Sequence, residues 1–397
     1  MAIERRTLAW VLALVAAALL LPAIEYGIHR LPLWPWLMKW TYVAPLMPAI
    51  FAFMIVSLGL NIVTGFTGLL NLGAAAFVAI GAYTYSILTC EIYPFRLGWV
   101  LDEVIAGGRP SAHATWLTFV LGTMAAAGMG ALVGAALSLP TMRLRGDYLA
   151  IVTLGFCEIV QDLLKNLDPI TKGTTGINPV PHPPNLPALA AASEGSSAFI
   201  QHATGIYLYY RDATPHYLLY LLLMLGVAML CRNLRRSRIG RSWVAVREDE
   251  LAARSSGLDT ARIKLSAFSW GAALCATGGA LIAALVGTSI DPAYYDFQLS
   301  IIVLCAVIVG GMGSIGGVIL GALVMFGFNG IVLVRLSDAL AGSHTDGNVL
   351  TTPNNWKFLV YGLALVLVMR FKPEGLLPAR EVRAEMRPPR QAPTVPP

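Results

Sequence analysis

Charge is scarce in this 397-residue sequence: Asp, Glu, Lys and Arg together make up 13% of it, against 56% apolar residues. With a mean hydropathy of +0.67, the apolar runs leave no stretch the size of an ordinary soluble domain, and that class is excluded. Alternating segments of about ten residues, the mark of a transmembrane β-barrel, are missing as well. The runs are continuous and rich in Ala, Leu, Val and Gly. No HExxH, GxSxG or GxxxxGKS pattern occurs, so no recognisable catalytic or nucleotide-binding motif is present and no cofactor is indicated. Cysteine is sparse: Cys90, Cys157, Cys231, Cys275 and Cys305 lie in or beside apolar runs and form no CxxC pair. They read as small packing residues rather than a disulfide framework or metal site. The six histidines are scattered.

What remains is a series of apolar runs near the length that crosses a hydrocarbon core of roughly 30 Å, the pattern of an all-α polytopic membrane protein embedded in lipid. The net charge of +6 would point to nucleic acid in a soluble chain, but here position matters more than sum, and no nucleic-acid partner is expected. Basic residues gather at Arg5 and Arg6, at Arg143 and Arg145, across residues 232–264 with nine Lys/Arg, and from Arg370 onward. By the positive-inside rule these clusters mark the cytoplasmic side.

That assignment fixes the parity of crossings. Four spans fit before Arg143, at residues 7–24, 41–63, 69–90 and 115–139, and two more, 148–165 and 216–231, before Arg235. Between the last two, residues 166–215 are rich in Pro, Ser, Asn and Gly and read as an external loop. After the basic segment 232–264 come 265–287, a run at 299–334 broken by "GGMGSIGG", and 356–369. Counting the broken run as two spans gives about ten in all, with both termini inside; a re-entrant hairpin is the alternative there. Residues 1–372 then form one transmembrane domain, and 373–397 a polar, proline-rich cytoplasmic tail. The first run also has the shape of a signal peptide; an uncleaved helix is the reading adopted, and cleavage leaves the remaining topology unchanged.

Glycine-rich interruptions occupy comparable places in the two halves, "TGFTGLLNLGAAAFVAIGAY" (64–83) and "VGGMGSIGGVILGALV" (309–324). They fit either a translocation site between repeats or close small-residue packing, and both readings stand. Asn61, Thr64, Thr67 and Asn71 form a polar set beside the first. Glu158 lies near the middle of the fifth span, where an ionisable side chain costs about 2.5 to 3.5 kcal/mol. On a helix it shares a face with Gln161 and Lys165, with Thr153 about one and a half turns away, so these residues either line a polar path or hold helices together. Within 232–264, residues 242–256 are free of Gly and Pro and read as one amphipathic helix, with Trp243, Val246 and Leu251 on its apolar side and Arg247, Asp249 and Glu250 as charged partners. Its mixed signs suit a protein groove better than a lipid surface, a solvated loop helix being the plainer alternative.

"RLRGDYLAIVTLGFCEIVQ" (143–161), "ITKGTTGI" (170–177), "GRSWVAVREDELAARSSGLDTARIKLSAF" (240–268), "VIVGGMGSIGGVILGAL" (307–323) and "LGLNIVTGFTGLLNLGAAAFVAIGAY" (58–83) together resemble the successive motifs of LivM-type permeases, the membrane subunits of branched-chain amino acid ABC importers. The resemblance implies a bacterial inner-membrane transport subunit, not an enzyme. Its implied partners are a paralogous second permease, two cytoplasmic ATPase subunits and a periplasmic binding protein. In such permeases the cytoplasmic loop meets the ATPase, which assigns a coupling role to Arg247, Glu248, Asp249, Glu250, Arg254 and Gly257. "ELAARSSG" is similar to the importers' EAA-type loop, with Ala252, Ala253 and Gly257 at the matching spacing and Glu250 displaced by one position. Other departures are Cys157 and Gln161 where the family commonly shows GEIVR, Lys172 in place of a Gly, and Ala74 where many relatives carry His. They leave branched-chain amino acids, other hydrophobic amino acids, urea and short amides all open as substrates.

An ion-coupled secondary transporter is the rival reading, with Glu158 as its one strong coupling site; a membrane enzyme would need a clustered His, Asp or Cys constellation that the sequence lacks. The topology is directly testable. In a cysteine-free background, Ser196→Cys should react with an impermeant maleimide from outside, and Ser255→Cys only after permeabilisation. Labelling of Ser255→Cys from outside would reverse the inside assignment of the basic segment.

Overall fold

The computed structural model describes residues 46–93, 112–141, 147–183, 216–333 and 357–377. The first apolar run, most of the expected external loop (184–215), Arg143, Arg145 and the tail beyond 377 lie outside the described residues. Among the described residues there are helices and turns but no strand.

The helices follow the apolar runs. In chain order, the one-turn helix Asp168–Thr171 aside, they are α1 (Met47–Asn61), α2 (Ala74–Thr89), α3 (Ala112–Thr141), α4 (Asp147–Asn166), α5 (Tyr217–Arg236), α6 (Arg238–Glu248), α7 (Glu250–Ser255), α8 (Thr260–Val286), α9 (Phe297–Gly310), α10 (Ile315–Gly327) and α11 (Lys357–Phe371). Among the described residues, five helical stretches are long and apolar enough to cross a membrane: Met47–Phe66, Trp116–Pro140, Tyr217–Arg236, Thr260–Val286 and Pro292–Gly310. Shorter apolar helices are Ala74–Thr89, Ile315–Gly330 and Leu359–Phe371. The chain is therefore an all-α, multi-pass membrane protein.

Two local features depart from the sequence reading. α1 does not stop at residue 63 but continues through a π-helical turn, Ile62–Phe66. Between it and α2 the chain is non-helical, so the helix of the third expected span begins at Ala74 rather than at residue 69. A second π-helical turn, Phe328–Leu333, extends α10. The broken run at 299–334 is a helical hairpin, α9 and α10, joined by a turn in which Gly311 (φ 114°) and Gly313 (φ 79°) take backbone conformations that side-chain-bearing residues rarely adopt.

The architecture is organised around α8, which packs against α1, α2 and α3 at once. In lipid, apolar side chains gain little by leaving one apolar medium for another, so helices associate where small residues let backbones approach. A Cβ added at Gly81 of α2 would lie 2.0 Å from the Ala276 carbonyl oxygen of α8, and one at Gly279 of α8 would lie 2.0 Å from the Val78 carbonyl oxygen of α2. On α3, Gly130 and Gly134 stand four residues apart and meet α8 at Ala272, Ala276 and Phe268 in the same way. The outer helices are coated differently: Met124 and Leu132 on α3, Leu222 and Met229 on α5, and Leu359 and Val366 on α11 are exposed large apolar residues, as a lipid-facing shell requires.

The α2–α8 contact makes a stability prediction. Gly279→Val should lower stability by about 3 kcal/mol through overpacking against carbonyl 78, read as an earlier thermal transition of the purified protein in detergent. Gly128→Ala should not, since nothing stands within 4 Å of that position.

Candidate functional site

The two glycine-rich segments meet at the end of α1. Asn61 is fully buried and its Oδ1 accepts a hydrogen bond of 2.8 Å from the backbone N–H of Gly313, in the α9–α10 turn. The helix must end here at membrane depth, where unpaired backbone groups are costly, and side chains take up the freed groups. Thr64 donates to the Leu60 carbonyl at 2.9 Å and Thr67 to the Val63 carbonyl at 2.6 Å. Asn71 Oδ1 accepts from Gly73 N–H at 2.9 Å. Two bonds tie the following loop and the start of α2 to other helices: Leu72 N–H donates to Thr153 Oγ1 of α4 at 3.0 Å, and Ala75 N–H to Ser300 Oγ of α9 at 2.9 Å.

The structure thus brings Asn61, Thr64, Thr67, Asn71 and Thr153 into one polar junction of α1, α2, α4, α9 and the α9–α10 turn, all of them buried and bonded to backbone. It separates Gln161 and Glu158 from that junction and from each other. Gln161 turns inward and donates from Nε2 to the Pro292 carbonyl at 3.2 Å. Glu158 turns outward, on an exposed face of α4 that also carries Tyr148, Ile151, Ile159 and Leu163. Cys157, beside it in sequence, is buried with its thiol 3.8 Å from the Tyr295 carbonyl.

In the charged segment the single helix expected over residues 242–256 is two helices, because Asp249 breaks it. Asp249 is extended (φ −155°, ψ 113°) and its carboxylate accepts from the N–H groups of Leu251 (2.8 Å) and Ala252 (3.0 Å), the geometry of a helix N-cap. The break also overturns the expected apolar face. Trp243 and Val246 of α6 are buried as expected, but Leu251 of α7 is 63% exposed. Trp243 donates from Nε1 to Ser266 Oγ of α8 at 2.9 Å and stacks on Phe66 at 6.4 Å between ring centroids.

The six expected coupling residues divide into two groups. Two turn inward. Arg247 donates from Nη1 to the Gly65 carbonyl at 2.5 Å, and Glu250 accepts from Lys264 Nζ at 2.7 Å, in an ion pair whose side chains are 28% and 6% exposed respectively. The other four, Glu248, Asp249, Arg254 and Gly257, are exposed. Sequence reasoning missed Lys264, whose partner lies one helix away at a spacing no helical pattern marks. It also missed His182 and His216, whose rings lie 6.4 Å apart before α5. Among the described residues no three His, Cys, Asp or Glu side chains gather in a way that would hold a metal ion.

Comparison with known proteins places this geometry. A family profile described as branched-chain amino acid transport system / permease component matches residues 43–369. The chain is 37% identical over 329 residues to the high-affinity branched-chain amino acid transport system permease protein LivM of Escherichia coli, covering 82% of this chain and 68% of that one. It is 24% identical over 352 residues to the probable branched-chain amino acid transport permease protein LivM of Methanocaldococcus jannaschii, covering 83% and 91%. Against the permease protein LivH of the Escherichia coli system it is 24% identical over 332 residues, covering 83% and 92%. No solved structure matches it. The match takes in both glycine-rich segments, the polar junction and the charged segment, and the chain belongs to the branched-chain amino acid transport permease family.

Proposed function

We propose that this chain is one of two paralogous permease subunits of an ATP-driven importer in a bacterial inner membrane, moving branched-chain or closely similar amino acids. The observation that carries the reading is the 37% identity over 329 residues to a LivM permease. Similarity to LivH as well as LivM supports a paired permease as partner. Two cytoplasmic ATPase subunits and a periplasmic binding protein complete the proposed assembly.

In this reading residues 232–264 face the cytoplasm as the coupling loop, 166–215 form the external loop, and 373–397 are a cytoplasmic tail. The described apolar helices together with α4 and the first run make ten crossings, with both termini inside. Exposed Leu251, with Arg254 beside it on α7, forms the surface offered to an ATPase. The outward face of α4 lies against the second permease or the substrate path between the two, because a carboxylate at Glu158 would otherwise face acyl chains at a cost of about 2.5 to 3.5 kcal/mol. The junction at Asn61 is the fixed end of that path. Cys157 and Gln161, two of the departures that open urea and short amides as substrates, are bonded to backbone carbonyls of their own chain. They lend those substrates no support.

The complete assembly reconstituted in proteoliposomes should take up leucine only with ATP and binding protein present, and vanadate should stop it. Uptake driven by an ion gradient without ATP would favour the secondary-transporter reading. Glu158→Gln should cut uptake by about tenfold, equivalent to about 1.4 kcal/mol, with the yield of assembled complex unchanged. A collapse in yield instead would make Glu158 a helix-joining residue.

A further inference from the structure

An α-helix leaves its last carbonyls without partners and carries the negative end of its dipole there. At the end of α1 the Val63 carbonyl accepts from Leu69 N–H at 3.2 Å and from Thr67, while the Gly65 carbonyl accepts from Arg247 of α6. The contact is more than one hydrogen bond. Gly68 sits at φ 71°, and a Cβ there would lie 3.1 Å from Arg247 Cγ, so the aliphatic stem of Arg247 runs along the backbone that follows the π-helical turn. Phe66, in that turn, is stacked on Trp243 of α6 on one side and has the Arg235 guanidinium 5.6 Å from its ring centre on another.

The geometry points to Arg247 as a positioning residue that ties the coupling loop to the end of α1 through the Gly65 carbonyl, rather than a contact for the ATPase. This rests on the reading of residues 232–264 as the coupling loop. The route is continuous. Exposed α7 joins α6 at Asp249, and α6 grips the π-helical turn through Arg247 and Trp243. Asn61, directly before that turn, reaches the α9–α10 turn at Gly313, and the loop after the turn reaches Thr153 of α4, the helix that carries Glu158. π-helical turns are rare, single-turn departures from the α-helical ladder that occur frequently at functional sites. A pull on Arg247 therefore acts on the least regular part of α1 and arrives at both glycine-rich segments and α4.

The test uses the complete importer in proteoliposomes and reads three quantities: ATPase subunits retained on the purified complex, ATP hydrolysis, and leucine uptake per ATP. Arg247→Ala should keep the ATPase subunits bound while uptake per ATP falls about tenfold, the scale of one charge-assisted hydrogen bond. Arg247→Lys, which keeps a donor, should recover most of that loss. Unchanged uptake per ATP, or loss of the ATPase subunits from the Arg247→Ala complex, overturns the inference. Leu251→Asp checks the reading beneath it: that variant should lose the ATPase subunits, and if it retains them the coupling-loop assignment fails independently. Should Arg247→Ala not assemble, hydrogen exchange on the unmodified complex decides. Amides 67–72 should exchange about tenfold differently between the nucleotide-free and vanadate-trapped states, and equal exchange overturns the inference.

Discussion

Backbone-to-backbone approach around α8 is the constraint on which the rest of this structure depends. Inside a bilayer the hydrophobic effect gives neighbouring helices no reason to prefer one another over lipid, so dispersion forces at short range must hold them together. α8 meets three neighbours at once, and it does so because glycines let each approach: Gly81 and Gly279 between α2 and α8, Gly130 and Gly134 of α3, and Gly59 of α1 against Gly271. With α8 fixed, Ser266 and Lys264 at its entry are fixed too. Those two side chains in turn anchor Trp243 and Glu250 of the charged segment.

Much of this was legible in the sequence. Helix positions followed from hydropathy: residues 148–165 were expected where α4 covers Asp147–Asn166, and residues 265–287 where α8 covers Thr260–Val286, although only α8 of the two is apolar enough to cross a membrane. What escaped was hydrogen-bond register. A π-helical turn at Ile62–Phe66 uses the same apolar residues as an α-helical one, so no composition signal separates them. The break at Asp249 had a visible sign, a capping residue type inside an otherwise helical pattern, yet the helical spacing of Trp243, Val246 and Leu251 outweighed it. Because Asp249 starts a new helix, that spacing no longer carries Leu251 to the buried side.

The candidate site shows a similar division. The polar residues beside the first glycine-rich segment do come together, and each bonds the backbone of an irregular turn or its neighbours, while Nδ2 of Asn61 stays buried without a partner among the described residues. Sequence placed Glu158 and Gln161 on one helix face, yet the packing of α4 against residues 292–295 turns Gln161 in and leaves Glu158 out. Which of two residues three positions apart meets a neighbour depends on where that neighbour lies, and a single helix pattern does not hold that information.

The ion pairs of the charged segment differ in their response to ionic strength. At physiological salt, charges in water are screened over about 8 Å, while buried pairs are screened far less. Arg262 and Asp259, whose side chains are 88% and 54% exposed, lie in the screened regime; Lys264, at 6%, does not. Raising the electrolyte concentration therefore weakens what Arg254 and Arg262 offer to a charged partner while the loop keeps its own internal form. Brine thus reaches the ionic contacts on the outside of the segment and leaves the buried pair that shapes it in place.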